Sequence, residues 1–474
     1  SACGARYCES RFGYFVSIGN CSSSARILIE PFLLNKCALG CCSVCQVYDF
    51  IVVCIVTHSC QSQACVYTTF ITSSDISNVN SVIEYDNKFR KEFSKLSKLR
   101  NLRNVHSKEI NQLQKQKKPF KSKIKEVQEI NKKIKTTEDK VKKILEKRDA
   151  HRYKVGNILN KKVPVSKDES GNKIERTWGK PKKFKFKPKH QADIILEIDG
   201  ADLDRAAKHS GARFYYLKNE LAILNMSILR YAIDELVREG FTPMQTPVFL
   251  RHKPMSAAAE LADFEEQLYK IEGEDNYLIA TSEQTLASYH MNEVLNWKEL
   301  PIKYTAHSLC FRKEAGSHGK DTKGIFRVHQ FDKIEQFIFS RPEDSEKLHE
   351  KMIEITEKIF KGLEIPYRVV NIASGEMNDN GSLKYDIEGW FPAQNKYREL
   401  CSGTNCTDYQ ARKLNVKFDS KKGIREVLHT LNCTALASQR TIACLLENHQ
   451  NKDGSITIPK KLVKYTGFKK INPK

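Results

Sequence analysis

Hydrophobic residues recur at heptad-like spacing through the segment between residues 81 and 160. The positions that follow this spacing are Val82, Tyr85, Phe89, Phe93, Leu96, Leu99, Ile110, Leu113, Val127, Ile130, Ile134, Val141 and Ile144. Apolar side chains that alternate three and four residues apart form one seam along a helix, so the pattern predicts a coiled coil. Pro119 lies between the two halves and breaks the helix, which predicts two helices that turn back and pair antiparallel.

The hydrophobic pattern becomes a mixture of helical and strand-like segments between residues 191 and 470. Helical periodicity predicts helices over 217–239 and 343–362. Strand-like runs predict strands over 277–281, 302–312, 325–339, 366–372 and 397–402. Because the long helices do not alternate with the strands at the spacing of parallel βαβ units, the segment predicts an α+β domain, with an antiparallel β-sheet and helices on one side.

Neither of the common glycine-rich nucleotide motifs occurs in this domain. The sequence contains no GxxxxGK[ST] and no GxGxxG behind a predicted strand. Any use of ATP would therefore need a site other than a P-loop or a Rossmann crevice.

Two segments carry weaker patterns. Residues 161–190 are rich in proline, glycine and lysine and lose the apolar periodicity, which predicts a linker between a coiled-coil segment at 76–160 and the domain at 191–470. Residues 1–75 contain ten of the 15 cysteines. Two interpretations of residues 1–75 stay open: a poorly ordered extension, or sequence that does not belong to the mature protein.

The cysteine pattern and the apolar runs bear on metal binding and location. Cys42 and Cys45 form a CxxC without a second pair at suitable spacing, which argues against a zinc site. The apolar run FIVVCIVTH at 50–58 is too short to cross a bilayer, so no membrane partner is expected. Since few cysteines lie beyond residue 65, we expect a reduced, cytoplasmic chain, while organellar targeting by residues 1–75 stays open.

The charge is strongly positive, with a formal net charge of +22. Such a charge favours a polyanionic partner such as nucleic acid, although solubility is an alternative reason for it. Residues 81–160 hold 24 Lys and Arg against 10 Asp and Glu. Two uses of this basic coiled coil stay open: a solvated rod for dimerisation, or a projecting arm that follows a phosphate backbone.

The stretch FRKEAGSHGKDTKGIFRVHQFDKIEQF, residues 311–337, reads as two strand-like ends around a polar, glycine-containing loop. Alternate residues of a strand point to the same face. One face of the stretch would carry Arg312, Glu314, Arg327, His329, Phe331, Lys333 and Glu335. The opposite face would carry Leu309, Phe311, Val328, Ile334 and Ile338. A surface hairpin with solvated charges is one interpretation, and a nucleotide site with an aromatic for adenine and arginines for phosphates is the other.

Three stretches, in this order along the chain, resemble the signature motifs of class II aminoacyl-tRNA synthetases. They are REGFTPMQTP at 238–247, the stretch at 311–337 and TALASQRTIACLLENHQ at 434–450. Together with VPVSKDE, TSEQ and RELCSGTNCTDYQARKLN, they make the chain from about residue 81 to 465 similar to seryl-tRNA synthetases of the eukaryotic cytosolic type. The resemblance implies that serine is activated by ATP with release of pyrophosphate. Serine would then pass to the 3′ end of tRNA(Ser), and of tRNA(Sec) where one is present.

The resemblance also implies roles for individual residues. Those implied for ATP are Arg312, Lys313, Glu314, Val328, His329, Gln330, Phe331, Glu399, Leu400, Cys401, Ser402 and Arg440, with Arg312 and Arg440 catalytic. Those implied for serine are Thr281, Ser282, Glu283, Arg312, Glu335, Asn432 and Thr434. Glu399 and Ser402 match ligands of the Mg²⁺ that accompanies ATP, whereas Cys406 lacks the partners of a zinc site, so no zinc is expected.

The first motif, which ends in Pro247, implies a homodimer. The resemblance further implies that the basic coiled coil contacts the long variable arm of serine tRNA. Two departures from the family pattern occur: RELCSGTNCTDYQ stands for the usual ELxSCSNCTDYQ, and Cys433 and Ser438 stand where small residues or glycine are common. Two rivals remain, a paralogue that charges another amino acid or a carrier protein, and a nucleic-acid-binding protein without activity.

Overall fold

The computed structural model describes residues 76–259, 265–315, 323–421 and 423–474, together with the backbone of three short strands nearer the start of the chain. These strands are β1 (Ile27–Glu30), β2 (Cys45–Val47) and β3 (Val52–Ile55), and they pair antiparallel in the order β1-β3-β2. The other predictions made for residues 1–75, including the CxxC, lie outside the described residues.

The predicted helical hairpin is confirmed. Helix α1 (Ile76–Lys115) and helix α2 (Lys121–Arg152) flank a turn that contains Pro119. Three cross-helix pairs run in opposite chain directions, as an antiparallel pair requires: Asp86 with Arg148, Arg100 with Glu138, and His106 with Lys123. The apolar seam is buried at Leu96, Ile130, Ile134 and Val141.

A charged cluster holds the base of this arm. The Asp86 carboxylate accepts from Arg148 at 3.0 Å and from Arg90 at 2.7 Å, and Asp86 is buried. The Arg148 guanidinium lies 5.6 Å from the centroid of the Phe89 ring. A buried polar pair tolerates few alternatives, so this cluster favours one register of the two helices.

The domain that follows the arm contains helices and strands in a mixed order. Its helices are α3 (Gln191–Glu197), α4 (Leu203–Ser210), α5 (Asn219–Arg238), α6 (His252–Ala258), α7 (Ser282–Ser288), α8 (Ser345–Gly362), α9 (Tyr409–Leu414), α10 (Ser438–His449) and α11 (Val463–Thr466). The strands up to the second motif are β4 (Lys173–Trp178), β5 (Ala201–Asp202), β6 (Tyr216–Leu217), β7 (Thr242–Gln245), β8 (Phe249–Arg251), β9 (Asn276–Leu278), β10 (Val294–Asn296) and β11 (Ile302–Phe311). The later strands are β12 (Gln330–Ser340), β13 (Tyr367–Asn371), β14 (Leu383–Phe391), β15 (Lys396–Asn405), β16 (Lys417–Asp419), β17 (Arg425–Val427), β18 (His429–Ala437), β19 (Ile456–Thr457) and β20 (Lys470–Ile471).

Eight of these strands form the central sheet, in the order β4-β13-β14-β15-β18-β12-β11-β7. All neighbouring strands in it are antiparallel except β7 and β11, which are parallel. The predicted α+β class with an antiparallel sheet is therefore confirmed.

The hydrophobic core lies between one face of this sheet and helices α5, α8 and α10. The close packing of α8 on the sheet requires glycine at position 403 of β15, because a Cβ there would meet Ile353 Cδ1 at 2.6 Å and Cys433 Sγ at 2.9 Å. Ile334 and Ile338 point into this core from β12, as the alternation predicted. The opposite face of β12 carries polar side chains near Phe331 and, further along, a second apolar cluster at Phe337 and Phe339 that packs against helices α6, α7 and α9.

The prediction of a linker over 161–190 is wrong for residues Lys173–Trp178. They form β4, the edge strand of the central sheet, paired with β13. Trp178 stacks on Tyr367 with ring centroids 5.7 Å apart, and Arg176 pairs with Glu357 at 2.7 Å. An edge strand is covered on one side only, so a six-residue strand with few apolar positions gives a weak sequence signal.

Two predicted strands are shorter than the pattern suggested. The strand predicted over 277–281 ends at Leu278, and Thr281 instead caps helix α7 by accepting the Glu283 backbone N–H at 3.1 Å. The strand predicted over 325–339 begins at Gln330. Residues before Gln330 therefore do not follow the strand alternation, although Val328 is buried in the core with Ile334 and Ile338, as predicted.

Candidate active site

A cavity of about 320 Å³ opens on the polar face of the central sheet. Its walls come from strands β12, β14, β15 and β18, from helices α7 and α10, and from the segments that precede and follow the second-motif loop. The antiparallel sheet places these strands side by side, so residues separated by more than a hundred positions meet in one space.

Fourteen of the site residues predicted from the sequence line this cavity. They are Thr281, Glu283, Arg312, Glu314, Val328, Phe331, Glu335, Glu399, Leu400, Cys401, Ser402, Asn432, Thr434 and Arg440. Val328 is buried against the core and lines the cavity as well. The chain turns through residues 323–329 rather than running as a strand, which is why Val328 reaches the same space as Phe331.

Four predicted residues do not bring their side chains into the cavity lining. The Lys313 side chain is exposed, with Nζ 5.8 Å from the Tyr269 ring centroid. The His329 ring packs beside Phe214 at 5.4 Å. Gln330 opens β12 opposite Phe311, and Ser282 is buried at the start of α7.

Arg312 lines the cavity and contacts two of the elements that form it. Its Nε donates to the carbonyl oxygen of Ala280 at 3.3 Å, and its guanidinium carbon is 5.3 Å from the Phe331 ring centroid. Ala280 precedes Thr281, which belongs to a second group of polar residues described below. A planar guanidinium between an aromatic ring and this polar group can contact two anions at once.

Glu314 lies beside Arg312 and pairs with Arg327, whose Nη1 is 2.7 Å from Glu314 Oε2. Glu314 has a backbone φ of 50°, in the left-handed region that a glutamate seldom adopts. Glu314 follows the end of β11 outside any strand, and its side chain lines the cavity.

Arg440 and Glu399 form the second charged pair of the cavity. Arg440 Nη1 is 3.3 Å from Glu399 Oε1, and the guanidinium of Arg440 lies 5.4 Å from the Phe326 ring centroid. Burial would raise the pKa of Glu399, but Arg440, Lys384 and Arg312 together lower it to about 2. Glu399 is therefore ionised near neutral pH.

Ser402 and Asp386 face each other across β14 and β15 next to Glu399. Asp386 is buried, and its Oδ1 has no hydrogen-bond partner among the described residues. Burial raises the pKa of Asp386 to about 7, against the opposing effect of Lys384. The side chains of Glu399, Ser402 and Asp386 all offer oxygen atoms as metal ligands, and oxygen is the ligand type that Mg²⁺ prefers. These residues therefore fit a magnesium ion that also contacts phosphate.

A second group of polar residues surrounds a buried ion pair between Lys333 and Glu335 on β12. Lys333 Nζ is 2.8 Å from Glu335 Oε2, and the two side chains are 8% and 1% exposed. Glu335 Oε2 also accepts from the hydroxyls of Thr281 and Thr434, both at 3.3 Å. Lys333 Nζ donates to Thr434 Oγ1 at 3.1 Å, so every member of this group is held by at least two contacts.

Glu283 brings a second carboxylate to this group. Its Oε1 accepts from Gln410 at 2.8 Å and from Asn432 at 3.0 Å. Burial first, and the nearby Glu335 second, raise the pKa of Glu283 to about 7. The group contains two carboxyl groups, Glu283 and Glu335, and one close cation, Lys333. It can therefore accommodate the positive charge of a ligand.

Sequence reasoning missed several residues of the lining. Lys333 was named as part of a charged face but not as a site residue, although its two-residue spacing from Glu335 gave a signal. Lys384 alternates in the same way with Asp386 on β14 and lines the cavity. Phe326, with both Arg398 and Arg440 over its ring, gave no periodic signal because it lies in a turn.

The described part of the chain lacks both a metal cluster and a membrane-spanning helix. It holds no cluster of three or more His, Cys, Asp or Glu side chains arranged to bind a metal ion. It also holds no helix with the length and apolar character needed to span a bilayer.

The helical arm and the domain that follows it each match a known protein family. Residues 267–449 match the tRNA synthetase class II core domain (G, H, P, S and T), and residues 71–159 match the seryl-tRNA synthetase N-terminal domain. The sheet, the cavity and the first of these matches define the catalytic core as that of a class II aminoacyl-tRNA synthetase.

The similarity to individual proteins is more specific. A serine–tRNA ligase of Methanosphaera stadtmanae is 49% identical over 398 residues, which is 84% of this chain and 94% of the relative. The crystal structure of the seryl-tRNA synthetase of Pyrococcus horikoshii complexed with ATP has a TM-score of 0.76 and 44% identity, over 84% of this chain and 94% of that one. The cytoplasmic serine–tRNA ligase of Naegleria fowleri, in complex with AMP, has a TM-score of 0.73 and 40% identity, over 84% and 93%. The chain belongs to the seryl-tRNA synthetase family, and the predicted family, fold and ligase activity are confirmed.

Proposed function

We propose that the cavity binds ATP and serine side by side, forms seryl-adenylate and passes serine to the 3′ end of tRNA(Ser). The observation that carries this assignment is that Arg312, with its guanidinium over the ring of Phe331 and its Nε on the carbonyl oxygen of Ala280, lines the same cavity as the carboxylates of Glu283 and Glu335. Phe331 and Glu335 are four residues apart on one face of β12, a distance of roughly 13 Å along a strand. This spacing suits a nucleotide at one end and a small ammonium-bearing substrate at the other.

At the nucleotide end, Phe331 would stack on the adenine ring and Glu314 would accept from its amino group. Arg440 would contact the outer phosphates. The reaction joins the serine carboxylate to the α-phosphate, and the bond from that phosphate to the pyrophosphate leaving group breaks. Since two anions approach each other, fixed cations such as Arg312 supply most of the stabilisation.

At the serine end, Glu283, Glu335 and the hydroxyl of Thr281 would bind the ammonium group. Asn432 and Thr434 would close the pocket around the hydroxymethyl side chain. Their polar atoms would lose partners if an analogue without the hydroxyl entered, and this loss gives selectivity against alanine. Threonine would be excluded by lack of space.

Glu399 and Ser402 would hold a magnesium ion, with Asp386 behind Ser402 to orient it. When bound, the ion neutralises phosphate charge on ATP. The chain's own residues keep Glu399 ionised for this purpose, through Arg440, Lys384 and Arg312. Magnesium is part of the proposal because its ligands are oxygens placed where the outer phosphates would lie.

The arm formed by α1 and α2 would bind the long variable arm of the tRNA through its excess of lysine. Backbone contacts of this kind depend on charge and shape rather than on base sequence. The adenylate then donates serine to a terminal ribose hydroxyl of the tRNA, and AMP leaves. The charging of tRNA(Sec) with serine and a cytoplasmic location remain predictions.

We further propose a homodimer through the first motif. Strand β7 is the last strand of the central sheet and leaves one edge unpaired in the monomer. Helix α5, which precedes it, exposes Ile223, Met226 and Val237, at 41%, 61% and 46%. Exposed apolar residues beside an open sheet edge support an interface between two copies.

Serine-dependent exchange of pyrophosphate into ATP tests the central assignment. The wild-type protein should exchange with serine, and Arg312→Gln should reduce the rate by roughly a hundredfold or more, since it removes a cation at the reacting centre. The variant's melting temperature should stay close to that of the wild type.

The two rival functions give different outcomes in the same assay. Exchange with another amino acid and not with serine would favour a paralogue with a different substrate. Absence of exchange with all twenty amino acids, together with tight binding of tRNA, would favour a binding protein without activity.

A further inference from the structure

Residues 180–189, KPKKFKFKPK, form a basic surface segment, here called the lysine strip, that the roles above do not use. It contains six lysines and no acidic residue. All six lysine side chains are exposed, whereas Phe184 and Phe186 between them are half-buried. The strip therefore presents its lysines to solvent, while its two rings are partly covered.

The charges of the lysine strip are mostly uncompensated. Lys189 pairs with Glu197. The other five lysines, Lys180, Lys182, Lys183, Lys185 and Lys187, form no ion pair with a carboxylate of the described residues. Neighbouring ammonium groups repel each other, and a polyanion that binds along the strip would relieve this repulsion and release its own counterions.

The strip is fixed at both ends. Trp178 stacks on Tyr367 just before it, and Gln450 exchanges two hydrogen bonds with the backbone of Lys189, at 2.8 and 3.0 Å. Phe184 and Phe186 pack edge to face at 5.1 Å within it. Pro181 and Pro188 restrict the backbone further. Binding would therefore fix few additional backbone torsions and would cost little conformational entropy.

Gln191 connects the end of the strip to the wall of the active-site cavity. Gln191 follows it by two residues, donates to the carbonyl of Lys323 at 3.0 Å and accepts from the backbone N–H of Ile325 at 3.3 Å. Ile325 precedes Phe326, which lines the cavity under the Arg440 guanidinium. The end of the lysine strip is thus tied to the segment that carries a residue of the cavity wall.

We propose that the lysine strip binds the phosphate backbone of the tRNA acceptor stem while the 3′ end reacts in the cavity. This inference rests on the proposed function, because it takes the tRNA end to be the group that enters the cavity. RNA fits better than a lipid surface, since the only two rings of the strip are half-buried and pack on each other, which leaves little apolar surface for insertion into a bilayer. The contact would be independent of the base sequence.

The test compares two variants that lose the same charge. The strip variant carries Lys183→Gln, Lys185→Gln and Lys187→Gln. The matched control carries Lys298→Gln, Lys347→Gln and Lys361→Gln, which are also exposed and form no ion pair with a described carboxylate. Both variants should keep serine-dependent exchange of pyrophosphate into ATP, because neither touches the cavity lining.

Binding is measured with a hairpin RNA that reproduces the acceptor stem of tRNA(Ser) and lacks the variable arm. The strip variant should bind it at least tenfold more weakly than the control. The slope of log affinity against log salt should fall by roughly one for each lost phosphate contact. A third variant at the arm tip, with Lys117→Gln, Lys118→Gln and Lys121→Gln, should bind this hairpin like the wild type.

Equal affinities of the strip variant and the control for the hairpin would overturn the proposal. So would an unchanged hairpin affinity combined with loss of binding to anionic phosphatidylserine vesicles, which would point to a membrane instead. Failure of the proposed function is seen separately, as absence of serine-dependent exchange in the wild type, because the hairpin measurement does not depend on serine or ATP.

Discussion

Lys333 and Glu335 form an ion pair at 2.8 Å on the polar face of β12, with both side chains buried. Glu283 lies in the same group, so three charged residues with little solvent exposure are close together. A buried pair contributes little net stability by itself, but removal of one partner leaves an uncompensated charge.

Lys333→Met should therefore destabilise the protein by about 3 to 5 kcal/mol, since it leaves Glu335 without its cation. The double variant Lys333→Met with Glu335→Gln should recover most of this loss but should not recover serine affinity. Urea denaturation and the serine KM for exchange measure the two effects. Lys347→Met, at an exposed position of α8, is the control and should change stability by less than about 0.5 kcal/mol. A single variant as stable as the wild type would show that Glu335 does not need its partner.

Glu283 should make stability depend on pH between about 4.5 and 7. Burial and Glu335 raise its pKa in the folded protein to about 7, against the effects of Lys333 and Arg312. The folded state therefore binds a proton that the unfolded state has released over this range, and the stabilisation present at low pH is lost as pH rises through 7. Relative to the wild type, Glu283→Gln should gain stability between pH 5 and pH 8, by up to about 3 kcal/mol. Denaturation without ligands at four pH values measures this difference.

Glu343→Gln is the control for that series, because Glu343 is exposed and its side chain is 67% accessible. Its stability relative to the wild type should not vary with pH over the same range. A Glu283→Gln difference that is flat from pH 5 to pH 8 would mean that Glu283 is ionised throughout and that another group holds its charge.

Glu399→Gln should raise the Mg²⁺ concentration needed for half-maximal exchange by roughly tenfold or more, because a neutral amide is a poor ligand for a hard cation. Ser402→Ala should act in the same direction without disturbing Arg440. A titration of Mg²⁺ at saturating ATP and serine measures both variants. If Glu399→Gln lowers the rate while the Mg²⁺ requirement stays the same in both variants, Glu399 serves only to position Arg440.

Lys117→Glu, Lys118→Glu and Lys121→Glu together should weaken binding of full-length tRNA(Ser) at least tenfold. They place negative charge at the exposed tip of the arm, where phosphates of the variable arm would lie. Serine-dependent exchange should survive, since the cavity is built from other elements. Filter binding at several salt concentrations measures the change, with the same three substitutions at Lys298, Lys347 and Lys361 as the control. Equal loss of exchange and of tRNA binding would contradict this division of labour.

Met226→Lys should shift the protein from dimer towards monomer, because it places a charge at the centre of the exposed apolar face of α5. Leu196→Lys is the matched control, since Leu196 on α3 is 65% exposed and lies outside both α5 and the first motif. Sedimentation velocity at micromolar concentration measures the two species. A dimer that persists in Met226→Lys and dissociates in the control would place the interface elsewhere.

The sequence by itself determined the arm and the chemistry of the motifs. The heptad spacing between Val82 and Ile144 describes contacts between helices that are joined by a short turn, so a local pattern was enough to predict their pairing. Arg312, Glu314 and Arg440 were found because their motifs are contiguous in the chain. The side-chain alternation on β12 likewise put Phe331, Lys333 and Glu335 on one face before any strand neighbour was known.

Only the tertiary structure decided which strands lie next to one another, and this decided the rest of the site. Lys384 and Asp386 act on Glu399 because β14 pairs with β15, and Gln410 reaches Glu283 from helix α9. A single strand pattern does not encode its partner, so these contacts have no local signal. The same reason explains why Lys173–Trp178 looked like a linker and why the lysine strip was not linked to the cavity: its position depends on where β4 and Gln191 pack, which is a property of the folded sheet.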